Sequence, residues 1–434
     1  MQTATDINTL SADALQAVFR KVSFRVALPL ILLYFVAFLD RVNIGFASLA
    51  MNRDLGINDA TYGLAAGIFF LGYLLFAVPS NYALVRVGAL RWVSLLMVAW
   101  GLVSGGMAFV HGAGMYLLLR FLLGAAEAGF FPGIVYYLTG WLPPSARAGI
   151  LALFYLAIPL SSVIGSPISA ALMRLNGWHG LAGWQWLFLL EALPAVMLGC
   201  AVPWMLHANV ETAPWLSPSE KRVLGTAMQD EAYGPSMSAD NRSEQPVTAD
   251  LLAFAAAYFM LMIGLYELGF WTPRLLASHG VGLRTLGWVN AVPYALSGVA
   301  MLLWSRWSDL RHERRWTLFA SFSAAAVGFT LTALAPSAFA ATIALSLAAF
   351  GVFASMPVFW AACSQRMAAG AAAVGIAAIN SVGNVGGFLG PYATGWLLGH
   401  THSYAAGLFA SALALLLGAC IILFALRQQE SRAA

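Results

Sequence analysis

Long apolar runs, broken by short clusters of Gly, Pro, Arg and Asn, recur along the chain at 24–49, 62–84, 90–110, 115–138, 149–173 and 185–206. They recur again at 249–272, 286–304, 316–335, 341–361, 370–397 and 404–426. Each is about as long as the roughly 20-residue helix that crosses a hydrocarbon layer. In lipid such a run has to be helical, because a lone strand leaves its backbone donors and acceptors unpaired. The pattern predicts an all-α membrane protein with twelve transmembrane helices. A polar stretch at 207–248 separates the sixth run from the seventh, and residues 1–23 form a polar tail. The expected domains are therefore an N-terminal half, 1–206, a linker, 207–248, and a C-terminal half, 249–434.

The two halves resemble each other. A shift of 224 positions lays Tyr34-Phe35 on Tyr258-Phe259, Arg91-Trp92 on Arg315-Trp316 and Pro167 on Pro391. Each pair holds the same place in its half, which argues for duplication of a six-helix unit. An even number of spans per unit makes this a parallel pseudo-repeat about an axis along the membrane normal. That architecture suits a transporter that rocks around a site between its halves.

Composition agrees and removes other classes. Of 434 residues, 61% are apolar and 9% charged, against about 25% charged in a soluble domain. The net charge of +4 therefore says little about nucleic acid, and no nucleic-acid partner is expected. The only lysines are Lys21 and Lys221, neither preceded by Gly, so no Walker A loop is present. Neither lies in a span, which removes a retinal Schiff base. The seven histidines fall in or beside polar breaks, and the pair His400/His402 lacks carboxylate or Cys partners, so neither haem nor another metal is expected. Cys200, Cys363 and Cys420 have no CxxC spacing, which implies no disulfide framework or zinc site. The first apolar run is too long for a signal peptide. No cofactor and no enzymatic constellation is expected.

Sorting the charges gives an orientation. With both termini cytoplasmic, sixteen of the 22 Lys and Arg lie inside and four, Arg53, Arg174, Arg274 and Arg284, lie outside, as the positive-inside rule requires. The remaining two, Arg41 and Arg120, sit within spans beside Asp40 and Glu127. An ionised side chain mid-bilayer costs on the order of 3 kcal/mol on insertion scales, so these four should face a watery cavity and neutralise one another. Arg120 and Glu127 are seven apart and share a helix face, with Gly124 leaving space between them; Asp40 and Arg41 point about 100° apart and should serve different partners. The arginines suit an anionic substrate, since guanidinium grips carboxylate as a fork. Asp40 and Glu127 suit protons, and an anion competing for the arginine would change the carboxylate's proton affinity.

Under the 224 shift these four map onto Gly264, Leu265, Ala344 and Gly351, so the C-terminal half must offer neutral groups. Asn380 and Asn384, one turn apart, are its best candidates. Glu267 is read either as a third protonatable group or as a residue of the outer mouth, and Glu191 as a cap or structural pair. Tyr73, Tyr155, Ser161, Ser162 and Asn290 could line the cavity, though a lone Tyr or Ser more often glues helices together.

The strings Asp40-Arg-Val-Asn-Ile-Gly-Phe-Ala47, Arg120-Phe-Leu-Leu-Gly-Ala-Ala-Glu-Ala-Gly-Phe-Phe-Pro132, Ala152-Leu-Phe-Tyr-Leu-Ala-Ile-Pro159 and Ile379-Asn-Ser-Val-Gly-Asn-Val-Gly-Gly-Phe-Leu-Gly-Pro391 resemble the anion:cation symporter family of the major facilitator superfamily. The resemblance covers nearly the whole chain. It implies a proton-coupled symporter importing a small organic carboxylate, such as tartrate or an aldonate, across a bacterial inner membrane, working as a monomer. It also implies that Asp40 and Glu127 handle protons and that Arg41, Arg120, Tyr73, Asn380 and Asn384 bind substrate. The superfamily's loop motif corresponds to Asp309 and Arg311 in one half and Arg86 and Arg91 in the other, where Val85 replaces the usual acid. Where some sugar-acid carriers have a glutamine, the fifth span reads Ser161-Ser162. Alternatives left open are import of an aromatic carboxylate such as hydroxyphenylacetate, proton-independent anion exchange, and a non-transporting receptor or scaffold.

Overall fold

The computed structural model describes residues 16–142, 144–233, 247–366 and 372–433. Tail residues 1–15, linker residues 234–246 with Arg242, and the start of the eleventh predicted span, 370–371, lie outside the described residues. All regular structure among the described residues is helical. In the N-terminal half the helices are α1 (Gln16–Asp54), α2 (Asp59–Val87), α3 (Ala89–Phe109), α4 (Ala113–Thr139), α5 (Pro144–Met173) and α6 (Gly183–Met205). The linker contributes α7 (Pro218–Tyr233). The C-terminal half has α8 (Val247–Ser278), α9 (Leu283–Arg311), α10 (Arg315–Ala333), α11 (Ala338–Arg366), α12 (Ala372–Thr401) and α13 (Tyr404–Ala433).

Among the described residues, eleven helices contain a stretch long and apolar enough to cross a bilayer. The twelfth, α12, is 30 residues long, and it carries Asn380, Asn384 and several glycines among its apolar residues. Each helix overruns its apolar run at one end or both, because helical hydrogen bonding continues until a cap or a glycine stops it. In α2, the Asn58 side chain accepts a 2.8 Å bond from the Thr61 amide, and Gly88, at φ +90°, ends the helix. A break absent from the hydrophobic pattern splits α4 at Ala128-Gly129, between Ala113–Glu127 and Phe130–Thr139. A Cβ on Gly129 would come within 1.9 Å of Ser80 Oγ, so only glycine permits α2 to pack there. Large apolar side chains such as Leu75, Val78, Leu102, Val299 and Leu303 are exposed, as expected of lipid-facing surface.

Within the N-terminal half α1 packs on α5 and α6, α2 on α4, and α3 on α6; within the C-terminal half α8 packs on α12 and α13, and α10 on α11 and α13. The halves meet through α1·α8, α2·α12 and α5·α9. These contacts concentrate on the side of the bundle opposite Gln16 and the linker helix α7, here called distal. A Cβ on Gly63 would come within 2.5 Å of the Pro391 carbonyl, and one on Gly67 within 2.6 Å of the Phe388 carbonyl. On Gly287 it would meet the Ser166 carbonyl, also at 2.6 Å. Tyr62 donates to the Phe270 carbonyl at 2.8 Å, Asn290 to Ser166 Oγ at 2.7 Å, and Arg274 pairs with Asp59. Glycine at these positions lets backbones approach closely and seals the distal side.

On the proximal side, the first part of the linker is docked rather than free. Trp215 stacks on Trp141 at 5.6 Å, Tyr137 donates to the His207 carbonyl, and Lys21 pairs with Glu220 at 2.8 Å. The Lys21 ammonium, with the Ser217 backbone amide, holds the Glu220 carboxyl below the usual carboxylate range.

Candidate functional site

Between the halves, on the proximal side of the sealed contacts, lies a cavity lined by α1, α2, α4 and α5 and, from the other half, α8, α11 and α12. Of the predicted residues, Arg41, Glu127, Tyr73, Asn380 and Asn384 line it. Arg41 of α1 forms an ion pair with Glu127 of α4 and lies 3.3 Å from the Tyr266 hydroxyl of α8, a long contact that spans the two halves. Its guanidinium packs over Phe38 at 4.7 Å, Phe69 at 4.9 Å and Tyr73 at 6.0 Å, within cation–π range. Arg41 Nε and Glu127 Oε1 have no hydrogen-bond partner. The cavity thus holds a neutralised ion pair with donor and acceptor capacity in reserve.

Asp40 and Arg120 are not among its lining residues. Asp40 is buried inside the N-terminal half, where Ser104 of α3 donates to it at 2.9 Å. Arg120 is 1% exposed; its Nε donates to the Ala65 carbonyl at 3.0 Å, and its guanidinium lies 5.1 Å from the Phe69 centroid. Phe69 therefore stands between the two arginines, each about 5 Å from its ring. The expectation that Asp40 and Arg41 serve different partners holds. The expectation that Gly124 leaves open space beside Arg120 and Glu127 does not: a Cβ there would sit 1.8 Å from the Phe69 carbonyl, so α2 fills that space. This close approach brings Phe69 over Arg120.

The remaining candidates also resolve. Tyr155 lines the cavity. Ser161 donates to the Ile158 carbonyl, and Asn290 bonds Ser166 at the distal seal. Glu267 is buried in the C-terminal half, where Thr394 donates to it at 2.8 Å; it is neither in the cavity nor at a mouth. Arg86 donates to Tyr82 one turn earlier on its own helix, Arg91 is exposed, Asp309 accepts from Arg314 at 2.6 Å, and Arg311 lies 3.8 Å over the Trp307 ring.

Sequence reasoning passed over Tyr34, Tyr258, Tyr266, Phe38 and Met262, which all line the cavity. A signal was present in the repeat itself. Tyr34/Tyr258, Phe38/Met262 and Arg41/Leu265 are pairs separated by 224, and all six line the cavity. The repeat thus places the first helix of each half in the same relation to the cavity.

Comparison with known proteins agrees with this architecture. The Major Facilitator Superfamily pattern matches residues 30–391, with a further match over 252–434. A relative from Agrobacterium vitis named "Putative tartrate transporter" is 46% identical over 94% of this chain and 91% of its own. A "Quinolone resistance transporter" from Acinetobacter baumannii is 37% identical over 92% of this chain and 93% of its own. Among solved structures, a bacterial homolog of the human lysosomal transporter Spinster superposes with a TM-score of 0.72 at 18% identity, covering 93% of this chain and 96% of that one.

Proposed function

The chain belongs to the major facilitator superfamily and is a multi-pass membrane transporter, not an enzyme; on that premise we propose that it imports a small hydroxy acid such as tartrate together with protons. The membrane is the bacterial inner membrane, with the termini and the linker on the cytoplasmic side. The observation that carries this reading is the Arg41–Glu127 pair in a cavity shared by both halves. A proton on Glu127 removes the charge that holds Arg41, and the guanidinium is then free to grip a substrate carboxylate. Asn380 and Asn384 on the opposite wall, with the hydroxyls of Tyr73, Tyr155 and Tyr266, offer donors and acceptors suited to substrate hydroxyls. Loss of the proton to the cytoplasm restores the Arg41–Glu127 pair and expels the anion. Coupling is thus competition of two anions, one fixed and one carried, for a single cation.

Closure on the distal side supports assignment of this conformation to the inward-facing stage of alternating access. Arg120, behind Phe69, would meet substrate when α2 and α4 shift in the outward-facing stage, and Asp40 would serve protons from within the N-terminal half. The Tyr and Phe lining also favours a second reading, in which the carboxylate is aromatic.

Uptake of labelled tartrate into proteoliposomes tests this, with and without an inward proton gradient and with hydroxyphenylacetate as competitor. Gradient-driven accumulation of tartrate is expected. Uptake indifferent to the gradient would make the protein an anion exchanger, and no uptake of either acid would leave it without the proposed activity.

A further inference from the structure

The N-terminal half holds an acidic cluster that the substrate cavity does not use. Asp40 on α1 and Glu191 on α6 are 1% and 2% exposed. Ser104 of α3 donates to Asp40 Oδ1 at 2.9 Å, and Ser169 of α5 donates to Glu191 Oε1 at 2.6 Å. The packing brings them to one level of the bundle: Ser104 adjoins Gly105, where an added Cβ would meet the Ala192 Cβ at 3.4 Å, and Ser169 stands one turn after Gly165, where it would meet the Leu39 side chain. Asn43, one turn along α1 from Asp40, is buried as well. Asp40 Oδ2, Glu191 Oε2 and both amide atoms of Asn43 are buried without a hydrogen-bond partner. The groups that face the cluster are Asp40 and Asn43 from α1, Trp100 and Ser104 from α3, Ser169 from α5 and Glu191 from α6, with Glu127 of α4 acting on Asp40 from farther off. None is Lys, Arg or His, and neither acid joins an ion pair among the described residues.

Burying one ionised carboxylate without a counter-charge is far more costly than a serine hydrogen bond can offset. Two buried close together without a cation influence each other's titration, and ionising both is costlier still. A structural role would be met more cheaply by amides, because a buried acid that only braces helices gains nothing from its charge. The ligand that satisfies such a cluster is a proton, carried as the O–H of one carboxyl.

We propose that Glu191 and Asp40 together form a proton-binding site, separate from the substrate cavity, in which Glu191 exchanges a proton with Asp40. Proton binding rests on the cluster alone; its use in transport rests on the function proposed above.

Infrared spectroscopy of the full-length protein reconstituted in liposomes tests it through the carbonyl stretch of protonated carboxyls, followed against pH. A titrating band is expected that loses intensity in Glu191→Gln and whose midpoint moves in Asp40→Asn. A Glu191→Gln spectrum identical to wild type at every pH, or a midpoint indifferent to Asp40→Asn, would overturn the site. Should Glu191→Gln fail to fold, Ser169→Ala keeps both acids and removes one donor; an unmoved midpoint there would equally overturn it. For transport, loss of one carried proton across a gradient of one pH unit lowers tartrate accumulation about tenfold, and wild-type accumulation by Glu191→Gln would contradict a role in coupling. A titrating band in a protein that shows no gradient-driven uptake would sink the proposed function while leaving the proton site standing.

Discussion

Arg41 pairs with Glu127, on a different helix, rather than with its own chain neighbour Asp40. Consecutive residues on a helix point about 100° apart, so Arg41 turns to the cavity while Asp40 turns to α3 and Ser104. Arg120, on the same helix as Glu127, is held behind Phe69 by the Ala65 carbonyl. The cavity therefore contains one cation and one anion, and the state of that pair decides whether it can accept another charge.

Glu127→Gln leaves Arg41 without its counter-charge. Breaking a buried pair from one side costs about 3–5 kcal/mol, so the thermal midpoint of the substrate-free protein should fall. Added tartrate should then raise the midpoint more in the variant than in wild type, because the anion replaces the missing charge. A variant that melts like wild type and responds no more to tartrate would contradict the pairing as the lock.

Arg41→Ala removes the fork proposed to hold the substrate. Truncating one partner of a charged, hydrogen-bonded pair costs about 2–5 kcal/mol, so tartrate binding should weaken by at least about 30-fold in an equilibrium binding assay. Arg41→Lys should recover only part of that loss, since an ammonium cannot present two parallel donors to a carboxylate. Full recovery by lysine would mean that charge alone suffices.

Gly63→Leu places a side chain where an added Cβ already comes within 2.5 Å of the Pro391 carbonyl. The distal seal should then fail to close, at a cost on the order of 1–3 kcal/mol. Spin labels at Ala60 and Gly399, which face each other across the seal, should report longer distances than in the parent protein, with uptake reduced in parallel. Unchanged distances would place the seal elsewhere.

The Lys21–Glu220 contact ties α1 to the linker. Because Lys21 holds the folded-state Glu220 carboxyl below its ordinary value, the contact contributes above the unfolded-state pKa of about 4.3. That contribution is lost as pH falls through the lower, folded value. Amide exchange in α7 should therefore be slower at pH 7 than at acid pH after correction for intrinsic rates, and Lys21→Ala should shrink the difference to the part that the Ser217 amide supplies. High salt should weaken it, as for any exposed pair.

The helices, their number and the two halves were legible in the sequence because lipid enforces long apolar runs. Arg41, Glu127, Asn380 and Asn384 were legible because polar groups in such runs stand out. The partner of Glu127 was not, since helical spacing links Arg120 to Glu127 on one face but cannot show that α2 enters the gap at Gly124 and brings Phe69 over Arg120. Nor could spacing show that α6, with Glu191, packs on α1 and α3 at the level of Asp40. Contacts between helices distant in sequence decide which buried charges meet, and a single helix carries no record of them. Tyr73 and Tyr155 were candidates from the sequence, but Tyr34 and Tyr258 escaped because aromatic residues in a span are indistinguishable from packing until the repeat is used to superpose them.

The most direct test of the central claim records proton and tartrate fluxes together in one proteoliposome preparation, for wild type and Glu127→Gln. The account predicts that tartrate added outside wild-type vesicles drags protons inward and alkalinises the medium, and that Glu127→Gln binds tartrate without this proton movement. Tartrate entry without proton entry in wild type, or proton-coupled entry undiminished in Glu127→Gln, would contradict it.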